Sequence, residues 1–528
     1  MNKNSRIIPF LCLLSVSLLA GCRQDKDIGI HVKDSKDVDA VIQSEDNEKG
    51  DYSNNLSIED IKIANAELDI SCHDPQIIYA DNDYYMTGSH QVIAKSSDFT
   101  SWDYVANGNR MFDNIFNGSM PAFEYVGKNE QGGYSVWASN IFYNETMGKY
   151  IMYFCTSSTY IKSSLCMAIS DTPGGPYTFE KAFLHSGFGE SEIDNTNLRE
   201  IIGEDADVSK YLLYGGYNNK DWPNCIDPAV FVDKDGRQWM VYGSWSGGIF
   251  MLELDAETGL PIHPEKDVEA EVNYVDRYFG YHLIGGDHHA IEGPYITYDE
   301  GTGYYYLFVS YGELQRDGGY QIRQYRSESP TGPYVDAAGK TVGKEDDFFN
   351  YGIKMAGNYV FPSLETAYMA PGGQSVFEGE DGNIYITYHQ RFDNGSEYHE
   401  PRVHRMYMNS EGWYVMAPFE TGTEVDESKS FDVEDVAGEY YVVEHGLDVS
   451  DRIREAISCN FENGVMTGFE EEGHYEVAKD SNQITIWLGE EEYHGVIIDM
   501  VDEAGNNVRC ISVSGLKNHT IWAVQYRK

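Results

Sequence analysis

The residues best placed to do chemistry in this chain are three carboxylates at the start of short apolar runs. Asp74 stands in HDPQIIY, Asp227 in IDPAVFV and Glu292 in IEGPYITY. Each is followed by Pro or Gly-Pro, which fixes the chain direction as a strand begins. One such acid alone reads as a turn residue capping a strand. Three in the same context read differently. Carboxylates sharing one pocket cannot all ionise at ordinary pKa, because mutual repulsion and burial raise at least one of them. A protonated carboxyl can then donate to a leaving oxygen while an ionised one deprotonates water, which is what breaking a glycosidic bond requires.

To meet, the three acids need elements that converge. Five segments share a plan of polar start, apolar strand, Asp/Asn/Gly turn and Tyr-rich second strand, beginning at His73, Val136, Ile226, Ile291 and Gly373. Spacings of roughly 60 to 90 residues suit four-stranded units that close radially. The expected fold class is therefore all-β, a five-bladed β-propeller over residues 61–425, in which the starts of the innermost strands line one channel. The echo of SDTPGGPY at Ser170 and SESPTGPY at Ser327 is expected in loops between repeats. Over 426–528 the repeats stop, and alternating runs such as QITIWLG predict a small C-terminal β-barrel or sandwich. Short helical pieces are expected only around residues 448–458.

Charge narrows the partners. Among 528 residues, 86 Asp and Glu face 38 Lys and Arg, a formal charge of −48 that repels phosphate backbones and argues against nucleic acid. The 41 tyrosines offer stacking surfaces to sugars. At the N-terminus, Lys3 and Arg6 precede an apolar run from Ile7 to Ala20 that ends in LAGC. This is the pattern of a lipoprotein signal peptide over 1–22, predicting export and a lipid on Cys22 as the sole membrane contact, at the cell surface or outer membrane. Residues 23–60 have the composition of a disordered acidic tether. Six further cysteines lack C-x-x-C spacing, so zinc and thiol redox chemistry gain little support and free buried thiols are expected, Cys459 and Cys510 being the pair to test first. A monomer is expected.

Taken in order, HDP at His73, IDP at Ile226, YGSWSGGIF at Tyr242, IEGPYI at Ile291 and YHEPRVHRMYMNSEGWYVMAPF from Tyr398 resemble glycoside hydrolase family 43, most closely its arabinan endo-1,5-α-L-arabinanases with a C-terminal β domain. The resemblance implies cleavage of internal α-1,5 links in plant arabinan and arabino-oligosaccharides with inversion, Asp74 acting as general base, Glu292 as general acid and Asp227 tuning Glu292. An inverting pair stands about 6.5 to 9.5 Å apart to admit the attacking water. Exo-acting α-L-arabinofuranosidase or β-xylosidase activity in the same family, or a non-catalytic propeller lectin, are the alternatives. Three acidic and two non-acidic strand starts argue for one asymmetric site over repeated lectin sites.

The same resemblance implies a calcium ion in the channel at His389, in ITYHQRF, held mostly by water because calcium prefers oxygen ligands. From the residues alone, a lone His there is a packed core side chain. Ser244, Trp245, Ser246 and Gly247 in GSWSGGI are candidate substrate contacts, Trp245 either stacking a sugar or filling a seam between blades. His73 is a candidate sugar contact or strand cap. Asn140 is another candidate, in WASN where many relatives carry Trp-Ala-Pro-acid. His288 and His289 are expected in a solvent-exposed loop.

Overall fold

The computed structural model describes residues 55–64, 70–107, 111–112, 115, 120–420 and 429–528. The signal peptide, the proposed lipid site at Cys22 and most of the tether lie outside these residues. Among those described, no helix is long and apolar enough to cross a membrane.

Short strands broken by Gly, Asp and Asn turns fold as five antiparallel sheets. The first contains β1 (His73–Ala80), β2 (Asp83–Ser89), β3 (Val92–Ser96) and β4 (Asp103–Asn107). The second contains β5 (Ser135–Asn144), β6 (Lys149–Ser157), β7 (Ser163–Ser170) and β8 (Thr178–His185). The third is built on β9 (Ala229–Val232), β10 (Gln238–Tyr242), β11 (Ile249–Leu254) and β12 (Gly280–Ile284). The fourth contains β13 (Ile291–Asp299), β14 (Tyr304–Tyr311), β15 (Gln321–Ser327) and β16 (Ile353–Ala356). The fifth is built on β17 (Tyr368–Glu378), β18 (Ile384–Phe392), β19 (His399–Met408) and β20 (Tyr414–Met416).

An apolar cluster fills each seam, because each blade buries both faces against its neighbours. Ile93 and Ala106 meet Phe154 and Cys166 between the first two blades. Tyr153 and Phe183 meet Met240 and Phe250 at the next seam, and Phe231 and Trp239 meet Tyr305 and Tyr325 after it. Tyr306 and Phe308 meet Met406 and Tyr414 between the last two blades. Ile77 and Tyr84 pack with Phe377, Tyr385 and Val403, which closes the ring without strand exchange. The five-bladed expectation holds.

The remaining chain forms a closed eight-stranded barrel of β21 (Gly438–His445), β22 (Ile457–Glu462), β23 (Val465–Thr467), β24 (Gly473–Val477), β25 (Gln483–Leu488), β26 (Glu491–Val501), β27 (Asn507–Gly515) and β28 (Thr520–Arg527). Strand alternation divides its side chains. Ile497, Ile511 and Ile521 fill the interior with Tyr440 and Phe461, whereas Val496, Ile498, Cys510 and Trp522 point outward and join the cluster under the last two blades.

Several local expectations change. The 448–458 segment is not helical but a loop leading to the strand pair 454–455 and then β22, and a five-residue α1 lies instead at Leu198–Ile202. The two Gly-Pro echoes are not between repeats: they join the third strand to the fourth inside the second and fourth blades. All six described cysteines are free and buried. Cys459 and Cys510 belong to the clusters inside and outside the barrel wall, so they do not pair. Residues 55–60, read from composition as tether, are folded: Asn55 bridges Arg527 and Leu56 N–H donates to Tyr526 O (2.9 Å), extending the barrel's last strand.

Candidate active site

Each inner strand has, in or just before it, a residue in the left-handed region where it lines the channel: Asp74 (φ 53°), Ala138 (42°), Asp227 (56°), Gly293 (57°) and Gly373 (60°). At four of these the register to the second strand skips, forming a bulge. Such a bulge bends the strand and re-aims its side chains. Residues 74–76, 138–140, 227–229, 293–295 and 373–375 together line one narrow central channel. The alignment corrects the expectation of three matching acids. Asp74 and Asp227 are equivalent, whereas Glu292 stands one residue before its counterpart, Gly293. Non-glycine residues in this region cost roughly 1 kcal/mol or more, and such strain collects at functional sites.

The surroundings of the acids differ. Asp74 Oδ2 accepts from Ser89 Oγ (2.6 Å) and lies 2.7 Å from His73 Nδ1, which leaves Oδ1 as the acceptor facing the channel beside Gly373. Burial pushes the Asp74 carboxyl up, but the His73 contact and the Ser89 bond outweigh it and hold the group below the usual carboxylate range. Asp227 is pushed well above that range by burial and by the charges of Glu292 and Asp74, and its Oδ2 accepts from Gly293 N–H (3.2 Å). Glu292 is also raised, by burial and by the Asp74 charge, although Tyr320 OH donates to its Oε1 (2.8 Å) and Ser244 Oγ to its Oε2 (2.9 Å). One ionised carboxylate therefore faces two that favour a proton.

The other candidates find places of their own. His73 is buried and stacks on His389 with ring centroids 4.1 Å apart. His389 is buried; its Nδ1 accepts the Asp74 N–H (3.3 Å) and lies 3.8 Å from Asp74 Oδ1. Ser244 serves the acid directly. Trp245 is half-buried and belongs to none of the described seam clusters. Ser246 is fully buried, and Gly247 abuts the 221–222 backbone so closely that a Cβ would fall 2.4 Å from Trp222 N. That stretch is a packing joint rather than an open groove floor. Asn140 is buried, and its Oδ1 accepts from Val230 N–H (3.3 Å), tying β5 to β9. His288 and His289 are half-buried rather than exposed, His289 stacking on Phe348 at 4.6 Å.

Ser89 and Tyr320 escaped the sequence reading. Ser89 carried a signal, since the TGS ending β2 echoes the YGS that holds Ser244 at the end of β10. Tyr320 had none. It lies outside the repeat, in the loop after β14, and reaches Glu292 only through the fold.

His73, Asp74 and His389 offer ligand atoms within 4.8 Å of one another. Two imidazoles and one carboxylate do not make a calcium cage, which takes six to eight oxygens, so calcium fits here only with water supplying most of its shell. His389 Nε2, enclosed and without a hydrogen-bond partner, is the polar atom that leaves room for such a group.

A propeller channel headed by one ionised and two proton-favouring carboxylates defines a glycoside hydrolase of the five-bladed class. Residues 214–414 match the glycosyl hydrolases family 43 and residues 418–523 a C-terminal lipocalin-like domain. An extracellular endo-α-(1→5)-L-arabinanase 2 of Bacillus subtilis is 34% identical, covering 86% of this chain and 92% of that protein. An extracellular endo-α-(1→5)-L-arabinanase of Thermotoga petrophila is 34% identical over 79% and 86% of the two chains. The crystal structure of the endo-1,5-α-L-arabinanase from Thermotoga petrophila RKU-1 superposes with a TM-score of 0.74 at 32% identity, covering 86% of this chain and 98% of that one. The chain belongs to glycosyl hydrolase family 43.

Proposed function

We infer that this protein is an inverting endo-acting hydrolase of internal α-1,5-L-arabinofuranosyl links in arabinan. The observation that carries the reading is the opposite displacement of Asp74 and Glu292, one pushed toward the carboxylate and one toward the acid at the head of the same channel. Asp74 Oδ1 takes a proton from water as the water oxygen bonds to the anomeric carbon. Glu292 gives its proton to the leaving glycosidic oxygen as that bond breaks, and is reprotonated from solvent. Asp227 holds Gly293 N–H and its own proton beside Glu292, which keeps the acid oriented. The similarity to enzymes named as endo-arabinanases supports the substrate.

Proton NMR of the anomer first released from arabino-oligosaccharides tests reaction and stereochemistry together. The expected product is the inverted β-anomer, and a retained α-anomer rejects the mechanism. Early oligosaccharides of several lengths from linear arabinan are expected, whereas arabinose alone indicates exo action.

Export with a lipid on Cys22 belongs to the same proposal, supported by the LAGC pattern and by relatives named extracellular. So does a hydrated calcium ion beside His389, whose charge when bound would favour the ionised form of Asp74. Removing calcium with a chelator is expected to lower the melting temperature and activity, and re-addition to restore both.

A further inference from the structure

Tyr320 connects the acid to the C-terminal barrel. Strand β14 ends at Tyr311, which pairs with Ile291, so the loop after it lies at the level of Glu292. From that loop Tyr320 donates to Glu292 Oε1 (2.8 Å). Its ring is buried with Met369 and Ala370 and lies on Gly372, where a Cβ would come within 2.1 Å of it.

The loop of the barrel between β21 and β22, residues 446–456, grips the chain on both sides of this tyrosine. Gly319 lies so close to it that a Cβ would fall 2.5 Å from Ser450 N, and Gln321 Nε2 donates to Asp448 O (3.0 Å). Ile453 packs against the cluster that Tyr320 forms. The far end of the loop is anchored by Arg454 N–H donating to Asn358 O (3.0 Å), and residues 454–455 pair in parallel with 359–360, which lie beside β17. Bracing the propeller needs only the apolar outer wall of the barrel. A loop that leaves that wall and clasps both neighbours of the residue bonded to the acid has a further consequence.

We propose that the 446–456 loop of the C-terminal barrel holds Tyr320 against Glu292, so that the accessory domain orients the catalytic acid; the inference rests on Glu292 being that acid. Tyr320 and Ile453 are positioning residues. Tyr320 bonds the carboxyl of the acid and Ile453 acts through Tyr320, so the effect of both passes through one carboxyl group.

Kinetics of the full-length chain on linear arabino-oligosaccharides test this. Tyr320→Phe is expected to lower kcat about tenfold with KM changed less than about twofold, the mark of an interaction made in the transition state. The alkaline limb should also move to higher pH, because the ionised acid loses a donor while Asp74, Asp227 and His73 around it stay in place. Ile453→Ala should give the same signature at about a third of wild-type kcat, and Ile453→Val should restore most of it. The double variant should be no slower than Tyr320→Phe alone, since residues acting through one group are not additive. Losses that multiply overturn the proposal, as does an Ile453→Ala enzyme that melts earlier yet keeps its kcat and alkaline limb. Glu292→Gln serves as reference: if it keeps wild-type kcat, the acid assignment falls and the inference with it, whereas an inactive Glu292→Gln beside a normal Ile453→Ala rejects the inference alone.

Discussion

Asp74 and Glu292 head the same channel, and their neighbours decide which one holds a proton. Both receive a serine hydroxyl, from Ser89 and Ser244, but only Asp74 also has an imidazole nitrogen against its carboxylate. Burial and the Asp74 charge then raise Glu292. Replacing Glu292 with Gln is expected to cut kcat by about 10²- to 10⁴-fold, the usual worth of a positioned acid. In the wild type, Glu292 works only when protonated. Activity should therefore fall as pH rises through a value above the ordinary glutamate range, and a pH profile of kcat/KM reads that limb. Ser89→Ala removes one of the two groups on Asp74 Oδ2 and also the acceptor of the buried Ala138 N–H (2.8 Å), so it should lower kcat about tenfold together with a drop in melting temperature, measured side by side.

At the scale of the strand, the bulge near the start of the inner strand in four of the five blades sets the reach of the side chains around it. Gly373 is the informative case, being left-handed at φ 60° in the fifth blade. A Cβ there would come 2.3 Å from Asp74 Oδ1 and 2.8 Å from His389 Nδ1, so the glycine clears the space in which the base meets its water. Gly373→Ala is expected to lower kcat at least about a hundredfold through displacement of the base, while far-ultraviolet circular dichroism remains that of the wild type. The repeat alone placed Asp74 and Asp227 correctly because they occupy one position in their blades. It misplaced Glu292 by one residue, because IEGP carries a Gly between acid and Pro where HDP and IDP have none, so Gly293 takes the bulge position that Asp74 holds in the first blade.

For the whole molecule, the barrel and the last two blades share one apolar cluster, so removal of residues beyond 425 exposes Tyr359, Phe361 and Met406 and should lower the melting temperature together with turnover. The seam also carries acids. Glu503, on the turn after β26, is half-buried with Oε2 enclosed and without a partner, and burial together with the Glu420 charge raises it to about 8. Between the ordinary glutamate value and about 8, the folded protein keeps a proton that the unfolded chain has lost, so this group makes stability fall as pH rises across that window. Glu503→Gln should remove that part of the slope. Thermal melts at pH 5 and pH 8 are expected to show the variant gaining on the wild type at the higher pH, and parallel curves would reject the account.

Strand periodicity, the five-fold repeat, the order of the acids and the change of character near residue 425 are all local properties of the chain, and they were enough to determine a five-bladed propeller with one asymmetric carboxylate site and a second β domain. Contacts between residues distant in sequence were left to the tertiary structure: Ser89 and His389 on Asp74, Tyr320 on Glu292, the burial of Asn140, Ser246 and Gly247 within the body, and a barrel loop reaching the acid's support. Periodicity reports which face of a strand is buried. Which atom meets which across a closed ring depends on register, bulges and loop paths, and these are fixed only when all five blades and the barrel pack at once.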